Sequence, residues 1–138
     1  MKYLLFLFII YSFSFNTEKV DLRITVTNIN TLKGSIKLGI YNDAKSFLVK
    51  DKEYRTYSKS VTNDTIIFYL KDLVKGDYAI SIYHDINSDK ECNSNFIRMP
   101  IEPYGFSKNY KPRFSKPSFN DCKIEVNSNM SIMIKLVD

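Results

Sequence analysis

The chain has 138 residues, 44% of them hydrophobic and 14% aromatic, a composition that predicts one folded domain and excludes a disordered chain. The formal net charge is +5, but most basic residues are scattered and no nucleic-acid recognition motif accompanies them. We therefore expect no nucleic-acid partner.

The first predicted element is a secretory signal peptide over residues 1–14. Lys2 precedes the apolar run "YLLFLFIIYSFSF", which is too short to span a bilayer comfortably. Ser12 and Ser14 occupy the −3 and −1 positions if cleavage follows Ser14. An uncleaved N-terminal anchor is the alternative. Since no later apolar stretch has membrane length, we expect a periplasmic or secreted protein that is not an integral membrane protein after cleavage.

Residues 19–138 are predicted to form a single β domain, because apolar residues recur there with a period of two. The run over residues 65–73 is more continuously apolar, as expected of a central strand. Residues 43–54 are predicted to hold one short helix. Seven strands are predicted, over residues 20–29, 34–41, 54–61, 65–73, 78–84, 122–126 and 131–137.

The motif formed by Leu73, Gly76 and Tyr78 favours a sandwich of two sheets. We expect Gly76 to adopt a positive φ, and the Tyr78 hydroxyl to bond to the backbone at the end of the core. The fold prediction is an Ig-like or transthyretin-like (prealbumin-like) antiparallel β-sandwich of about seven strands. One long loop, over residues 85–119, holds all four prolines, and long ordered loops often carry function.

Several segments, in order along the chain, resemble one bacterial family, the domain of unknown function 2141 family. They are "GSIKLGIYNDAKSF" (34–47), "LVKGDYAISIYHDIN" (73–87), "MPIEPYGFS" (99–107) and "KPSF" (116–119). The resemblance implies an exported β-sandwich protein and assigns no biochemical role. In the family's polar loop, His84, Asp85, Asn87 and Asn95 match, Lys90 replaces the usual glycine, and Asn93 replaces an aspartate.

The polar stretch "HDINSDKECNSNF", residues 84–96, is open to three interpretations: a calcium-binding loop, a polar turn and a catalytic corner. Calcium is bound by oxygen ligands at alternate positions of a compact loop, and the candidate ligands are Asp85, Asn87, Asp89, Glu91 and Asn93. A complete EF-hand site needs glycine at the sharp turn and a bidentate glutamate at its last position. These positions hold Lys90 and Phe96 here, which argues against such a site. The second interpretation is an Asx-turn loop whose side chains bond to their own backbone.

The two cysteines of an exported chain allow one disulfide, between Cys92 and Cys122. Two free thiols are the alternative. A catalytic reading must use His84, which is the only histidine, together with Asp85 or Glu102. No G-x-S-x-G or H-E-x-x-H motif supports it, and a packed histidine at a strand end is the simpler interpretation.

The segment over residues 99–119 is aromatic, proline-rich and basic. Its candidate binding surface consists of Tyr104, Phe106, Tyr110 and Phe114, although such rings also serve to cover an open end of a sandwich. Its basic residues are Lys108, Lys111, Arg113 and Lys116. They indicate either a solvated loop or weak binding to an anionic glycan or lipid surface.

Taken together, the residues predict an exported, non-enzymatic binding or structural module of the cell envelope. An envelope protein or a glycan is the expected partner, and calcium in the 85–95 loop is the one cofactor that the sequence suggests. The alternative is a small extracytoplasmic hydrolase that uses His84 with Asp85 or Glu102.

Overall fold

The computed structural model describes residues 17–92 and 101–137, which form two packed β-sheets. The described strands are β1 (Lys19–Thr27), β2 (Ser35–Tyr41), β3 (Arg55–Ser60), β4 (Ile66–Val74), β5 (Gly76–Asp85), β6 (Tyr104–Phe106), β7 (Ile124–Val126) and β8 (Met130–Lys135). The all-β sandwich prediction is confirmed, and β6 is an additional strand within the predicted long loop. The predicted signal peptide lies outside the described residues.

The two sheets have three and five strands. The smaller sheet has the order β4-β1-β8, and the larger has β3-β2-β5 with both β6 and β7 along the far edge of β5. Strands β1 and β8 run parallel, so the prediction of an antiparallel sandwich is wrong for this pair. The reason is that β7 lies in the larger sheet, and residues 127–129 carry the chain across the sandwich instead of closing a hairpin.

The main core lies between the sheets and follows the predicted alternation. Inward-facing residues of β1, β2 and β5 are buried, namely Val20, Leu22, Ile24, Val26, Ile36, Leu38, Ile40, Tyr78, Ile80, Ile82 and His84. Strand β4 is an edge strand, so its predicted central position is wrong. Its burial alternates, and Tyr69 is 57% exposed on the outer side.

The free edge of β4 is covered by cationic side chains from β3. The Arg55 guanidinium donates to the carbonyl oxygens of Lys71 at 2.7 Å and Asp72 at 3.0 Å. Lys59 donates to the Ile67 carbonyl. These contacts occupy acceptors that another strand would otherwise use, so they protect this edge from pairing with a second chain.

The Tyr78 hydroxyl donates to the Val74 carbonyl at 2.6 Å, as predicted from the motif around it. The predicted positive φ of Gly76 is wrong, since Gly34 is the glycine with a positive φ among the described residues. Asp72, inside β4, has φ 55° at the register shift between β4 and β1. An aspartate tolerates this left-handed conformation better than most residues.

Residues 43–54 form turns, so the predicted helix there is wrong. The Asp43 carboxylate accepts from the amides of Lys45 at 2.8 Å and Ser46 at 3.1 Å, as at the start of a helix. Leu48 and Asp51 then adopt positive φ values of 58° and 63°, which end the helical path.

The helix α1 (Phe119–Cys122) is found instead near the end of the long segment, after a 3₁₀ turn over Ser107–Asn109. No helix among the described residues is long and apolar enough to cross a membrane. Together with the turns at 43–54, α1 covers part of the outer face of the larger sheet, beside the side chains of β6. A second cluster of buried residues forms there, made of Tyr41, Phe47, Ala79, Tyr104, Phe106, Phe119 and Cys122.

Candidate functional site

His84 ends the inward face of β5 and is 0% exposed. Its Nε2 lies 2.7 Å from the Lys33 carbonyl, and because a carbonyl only accepts, Nε2 carries the proton. Its amide donates to the Pro103 carbonyl at 2.8 Å. The imidazole therefore joins the end of β5 to the residues that lead into β2.

Two carboxylates beside His84 are also buried and hold backbone amides. Asp85 Oδ2 accepts from the Lys90 amide at 3.1 Å and lies 4.0 Å from Lys37 Nζ. Glu102 Oε1 accepts from the Ile86 amide at 3.1 Å. A carboxylate that receives a backbone amide fixes the path of the loop, so both residues position the start of the long segment.

The polar loop, which comprises residues 85–92, is a series of Asx turns. Asn87 Oδ1 accepts from the Asp89 amide at 3.2 Å, and Asp89 Oδ1 accepts from the Glu91 amide at 2.9 Å. Asn87 Nδ2 also donates to Asp89 Oδ2 at 2.8 Å. Ser88 and Lys90 complete the turns with φ values of 62° and 66°. The candidate ligand Asn93 lies outside the described residues.

The turn at Lys90 gives a direct stability prediction. Lys90 has φ 66°, a conformation in which an L side chain is strained and glycine is not. We expect Lys90→Gly to raise the free energy of unfolding by about 0.5–1 kcal/mol, because relief of strain exceeds the added entropy of the unfolded chain. Urea denaturation measures this, and Lys90→Ala is the matched control that keeps the strained Cβ. Equal stabilities of the two variants would contradict the assigned turn.

Calcium gives a second prediction for the polar loop. The described residues contain no group of three or more His, Cys, Asp or Glu side chains that could hold a metal ion. Oxygens of Asn87 and Asp89 are already bonded to the loop backbone. We therefore expect millimolar calcium to leave Tm unchanged relative to a chelator. If a calcium site exists, calcium at a hundred times its dissociation constant would add about 2.7 kcal/mol to the free energy of unfolding. A rise in Tm of several degrees would therefore show a site.

The two cysteines are free thiols in the structure, and the Cys92–Cys122 disulfide is not formed there. Cys122 is buried in the second cluster, while Cys92 is exposed at the end of the polar loop. Burial raises the pKa of the Cys122 thiol to about 12. Desolvation and the nearby Glu102 raise the pKa of the Cys92 thiol to about 11. Both thiols are therefore protonated at neutral pH.

A groove of about 1020 Å³ lies on the outer face of the larger sheet, and we call it the sheet-face groove. Its floor is made by outward residues of β2 and β5, namely Lys37, Gly39, Tyr41, Ser81 and Tyr83. Its walls come from residues 48–53, residues 90–92 and residues 112–117. Tyr104 and Phe106 also line it.

Two small residues lie on neighbouring strands of the groove floor. Gly39 and Ser81 are direct neighbours across β2 and β5. A Cβ added at Gly39 would lie 3.1 Å from Glu53 Cγ and 3.3 Å from the Tyr41 ring. Both neighbours are side chains rather than backbone, and Tyr41 belongs to the second cluster, so a larger residue at position 39 requires the Tyr41 ring and the Glu53 side chain to move.

Two tyrosine hydroxyls stand at the floor as neutral groups. The pKa of Tyr41 is raised to about 12, mainly by burial and also by the charge of Glu53. A hydrogen bond with Ser81 acts in the opposite direction. Burial and the nearby Asp85 raise the pKa of Tyr83 to about 12. Both phenols therefore remain protonated at neutral pH. The Tyr41 hydroxyl donates to Glu53 Oε1 at 3.4 Å and the Tyr83 hydroxyl donates to the Lys90 carbonyl at 3.1 Å, so each oxygen is left as an acceptor.

Charges of both signs stand around the groove. The lysines are Lys37, Lys50, Lys90 and Lys116, and the acids are Asp51, Glu53 and Glu91. Lys50 Nζ lies 3.6 Å from Glu91 Oε1, so an exposed ion pair joins two of the walls. The groove is thus polar and aromatic without a strong excess of one charge.

The structure separates the residues predicted from the sequence. His84, Asp85 and Glu102 are buried, and none of them lines the groove. Tyr104 and Phe106 are largely buried in the second cluster, whereas Phe114 is exposed and Tyr110 is on the surface. Sequence reasoning did not identify the groove. The available signal was the occurrence of small outward residues, Gly39 and Ser81, on neighbouring strands.

The family model described as "Uncharacterized protein conserved in bacteria (DUF2141)" matches residues 24–133. The match extends from β1 into β8 and includes the polar loop and every wall of the groove. No curated protein and no solved structure matches the chain. The resemblance inferred from the four sequence segments is therefore confirmed, and the chain belongs to the bacterial DUF2141 family.

Proposed function

We propose that the protein is an exported, non-enzymatic binding module of the cell envelope whose sheet-face groove holds a segment of a glycan. The observation that carries this proposal is the groove itself, about 1020 Å³ in volume with small residues at its floor. This volume is at the upper end of the range of ordinary ligand sites. It suits a ligand of several sugar units better than a single small metabolite.

The chemistry of the lining supports a polyhydroxylated ligand. The hydroxyl oxygens of Tyr41 and Tyr83 offer acceptors beside aromatic faces, and the surrounding lysines offer donors. The surrounding lysines and acids nearly balance, so neither a strongly anionic nor a strongly cationic ligand is favoured. Hydroxyl groups of a glycan can bond to charges of either sign.

An extended peptide fits this groove less well. Peptides that add to a sheet do so along an open strand edge, where main-chain hydrogen bonds are available. The groove instead crosses the face of β2 and β5, whose backbones already pair with each other. A peptide bound in the groove would depend on side-chain contacts alone.

The hydrolase alternative receives no support from the geometry. A general acid or base must come within hydrogen-bond reach of its substrate. His84 is enclosed with Nε2 engaged by Lys33, and the Asp85 and Glu102 carboxylates hold loop amides. These contacts support structural roles for all three residues.

The test is isothermal titration of the protein with a panel of tetrasaccharides: chitotetraose, cellotetraose, maltotetraose and isomaltotetraose. We expect saturable binding of at least one of them. Gly39→Leu, which fills the floor, should abolish this binding, and Tyr69→Ala on the smaller sheet should preserve it. Binding that is equal in parent and Gly39→Leu, or no binding of any tetrasaccharide, would overturn the proposal.

Export is proposed from residues 1–14 and is tested separately. The protein, expressed in a Gram-negative host, should be recovered in the periplasmic fraction or the medium after osmotic shock. Recovery only with the cytoplasmic marker would contradict export, while leaving the groove proposal to the calorimetric test.

A further inference from the structure

A second surface, separate from the groove floor, is dominated by Phe114. Its side chain is 98% exposed, a larger fraction than for any other large hydrophobic residue among those described. The next values are 66% for Ile101 and 61% for Leu32. Phe114 lies within residues 108–116, which we call the basic tip.

The basic tip carries positive charge with no acid of its own. Residues 103–120 include Lys108, Lys111, Arg113 and Lys116 and contain no Asp or Glu. Within the described part of the chain, none of these four takes part in an ion pair. Asp121 lies nearby, but its carboxylate is already bonded to the Ser118 amide and hydroxyl, both at 2.8 Å.

Both ends of the basic tip are fixed to the domain. The Asn109 side chain bonds to β8 as a neighbouring strand would. Its Nδ2 donates to the Met133 carbonyl at 3.1 Å, and its Oδ1 accepts from the Lys135 amide at 2.7 Å. At the other end Pro117 and Phe119 are buried, and the Phe119 ring centroid is 6.0 Å from that of Phe47. The tip is therefore presented on a fixed base, which reduces the entropy lost on docking.

We propose that the basic tip docks on an anionic lipid surface. Phe114 enters the interfacial region of the bilayer, and the four basic side chains lie beside the phosphate headgroups. Aromatic insertion combined with attraction of Lys and Arg to anionic lipid is the usual basis of peripheral attachment. Attachment would place the sheet-face groove next to the membrane, since Pro112 and Lys116 also line that groove.

A lipid surface explains the combination of features better than a soluble polyanion does. An anionic glycan would use the basic side chains and would leave a fully exposed phenylalanine without a role. The charge of an anionic bilayer meets Lys108, Lys111, Arg113 and Lys116, and its interface receives the ring. This inference does not depend on the ligand of the groove.

The test uses a fluorescent reporter in the full chain, which contains no tryptophan. Phe114→Trp should show a blue-shifted emission with vesicles of phosphatidylcholine and phosphatidylglycerol, and brominated lipid should quench it. Pure phosphatidylcholine vesicles should produce neither change. Tyr69→Trp is the matched control, because Tyr69 is 57% exposed on the smaller sheet and should report no insertion. If the apolar N-terminal run attached the chain instead, vesicle binding would not depend on anionic lipid. The Phe114→Trp and Tyr69→Trp reporters would then respond alike.

Vesicle co-sedimentation separates the contributions of ring and charge. Phe114→Ser should weaken partitioning by about tenfold, and Lys111→Glu combined with Arg113→Glu should weaken it by at least about tenfold. These side chains are exposed, so the variants should fold normally. Heparin-bound Phe114→Trp should show no blue shift. An unshifted reporter on sedimented anionic vesicles, or undiminished partitioning of Phe114→Ser, would overturn the proposal and indicate attraction to polyanions only.

Discussion

Gly34→Ala is expected to lower the free energy of unfolding by about 3–5 kcal/mol, a large effect for the addition of a single methyl group. Gly34 has φ 71°, and an added Cβ would lie 2.1 Å from the Asp85 carbonyl oxygen and 2.8 Å from Ile86 Cα. Both atoms belong to the backbone, so no side chain can move aside. The loss is a large part of the stability of an ordinary domain.

Gly76→Ala is the matched control for this substitution. A Cβ at Gly76 meets no atom within 4 Å, and Gly76 does not have a positive φ. Its stability should change by less than about 1 kcal/mol. Urea denaturation of both variants measures the contrast. A Gly34→Ala protein as stable as Gly76→Ala would show that the close approach of β2 to the polar loop is wrong.

Ser107→Ala is expected to destabilise the protein by about 2–4 kcal/mol, because it leaves two buried backbone groups without a partner. Strands β6 and β7 pair with different parts of β5 and leave the Ile80 amide between them. The Ser107 hydroxyl accepts from that amide at 2.9 Å and donates to the Cys122 carbonyl. One buried hydroxyl therefore completes the edge of the larger sheet and holds α1 against it.

Ser131→Ala provides the comparison for the loss of a serine hydroxyl. Ser131 lies on the exposed side of β8, so its removal should change stability by less than about 0.5 kcal/mol. Hydrogen exchange adds a local measurement, since the Ile80 amide should exchange faster in Ser107→Ala than in the parent. If both serine variants unfold at the same urea concentration, Ser107 does not have the role assigned to it.

Much of the fold was predictable because β-strands with one buried face show their period directly in the sequence. The four buried residues Val20, Leu22, Ile24 and Val26 illustrate this, and the Tyr78 hydroxyl bond follows from a local motif. The sheet to which each strand belongs was harder to predict. The parallel pairing of β1 with β8 depends on a crossing that the short turn at residues 127–129 does not reveal.

The candidate site was harder to predict, because it is made by segments that are distant in sequence. The residue types around His84 suggested a functional site, but in the structure these side chains hold the polar loop in place. The groove floor includes two small neighbouring residues, Gly39 and Ser81, and its walls come from segments that fold over the sheet. Small residues on a strand carry no chemical signature, so their alignment becomes visible only with the register of β2 and β5.

Chemical-shift mapping of the ¹⁵N-labelled protein with the same four tetrasaccharides tests the central claim most directly. If the groove binds a glycan, the chemical shifts of the Gly39, Ser81 and Tyr83 amides should change in a saturable way. These changes should disappear in Gly39→Leu. The amides of Tyr69 and Ser131 on the smaller sheet should remain unchanged. No perturbation by any tetrasaccharide, or perturbations confined to the smaller sheet, would contradict the claim.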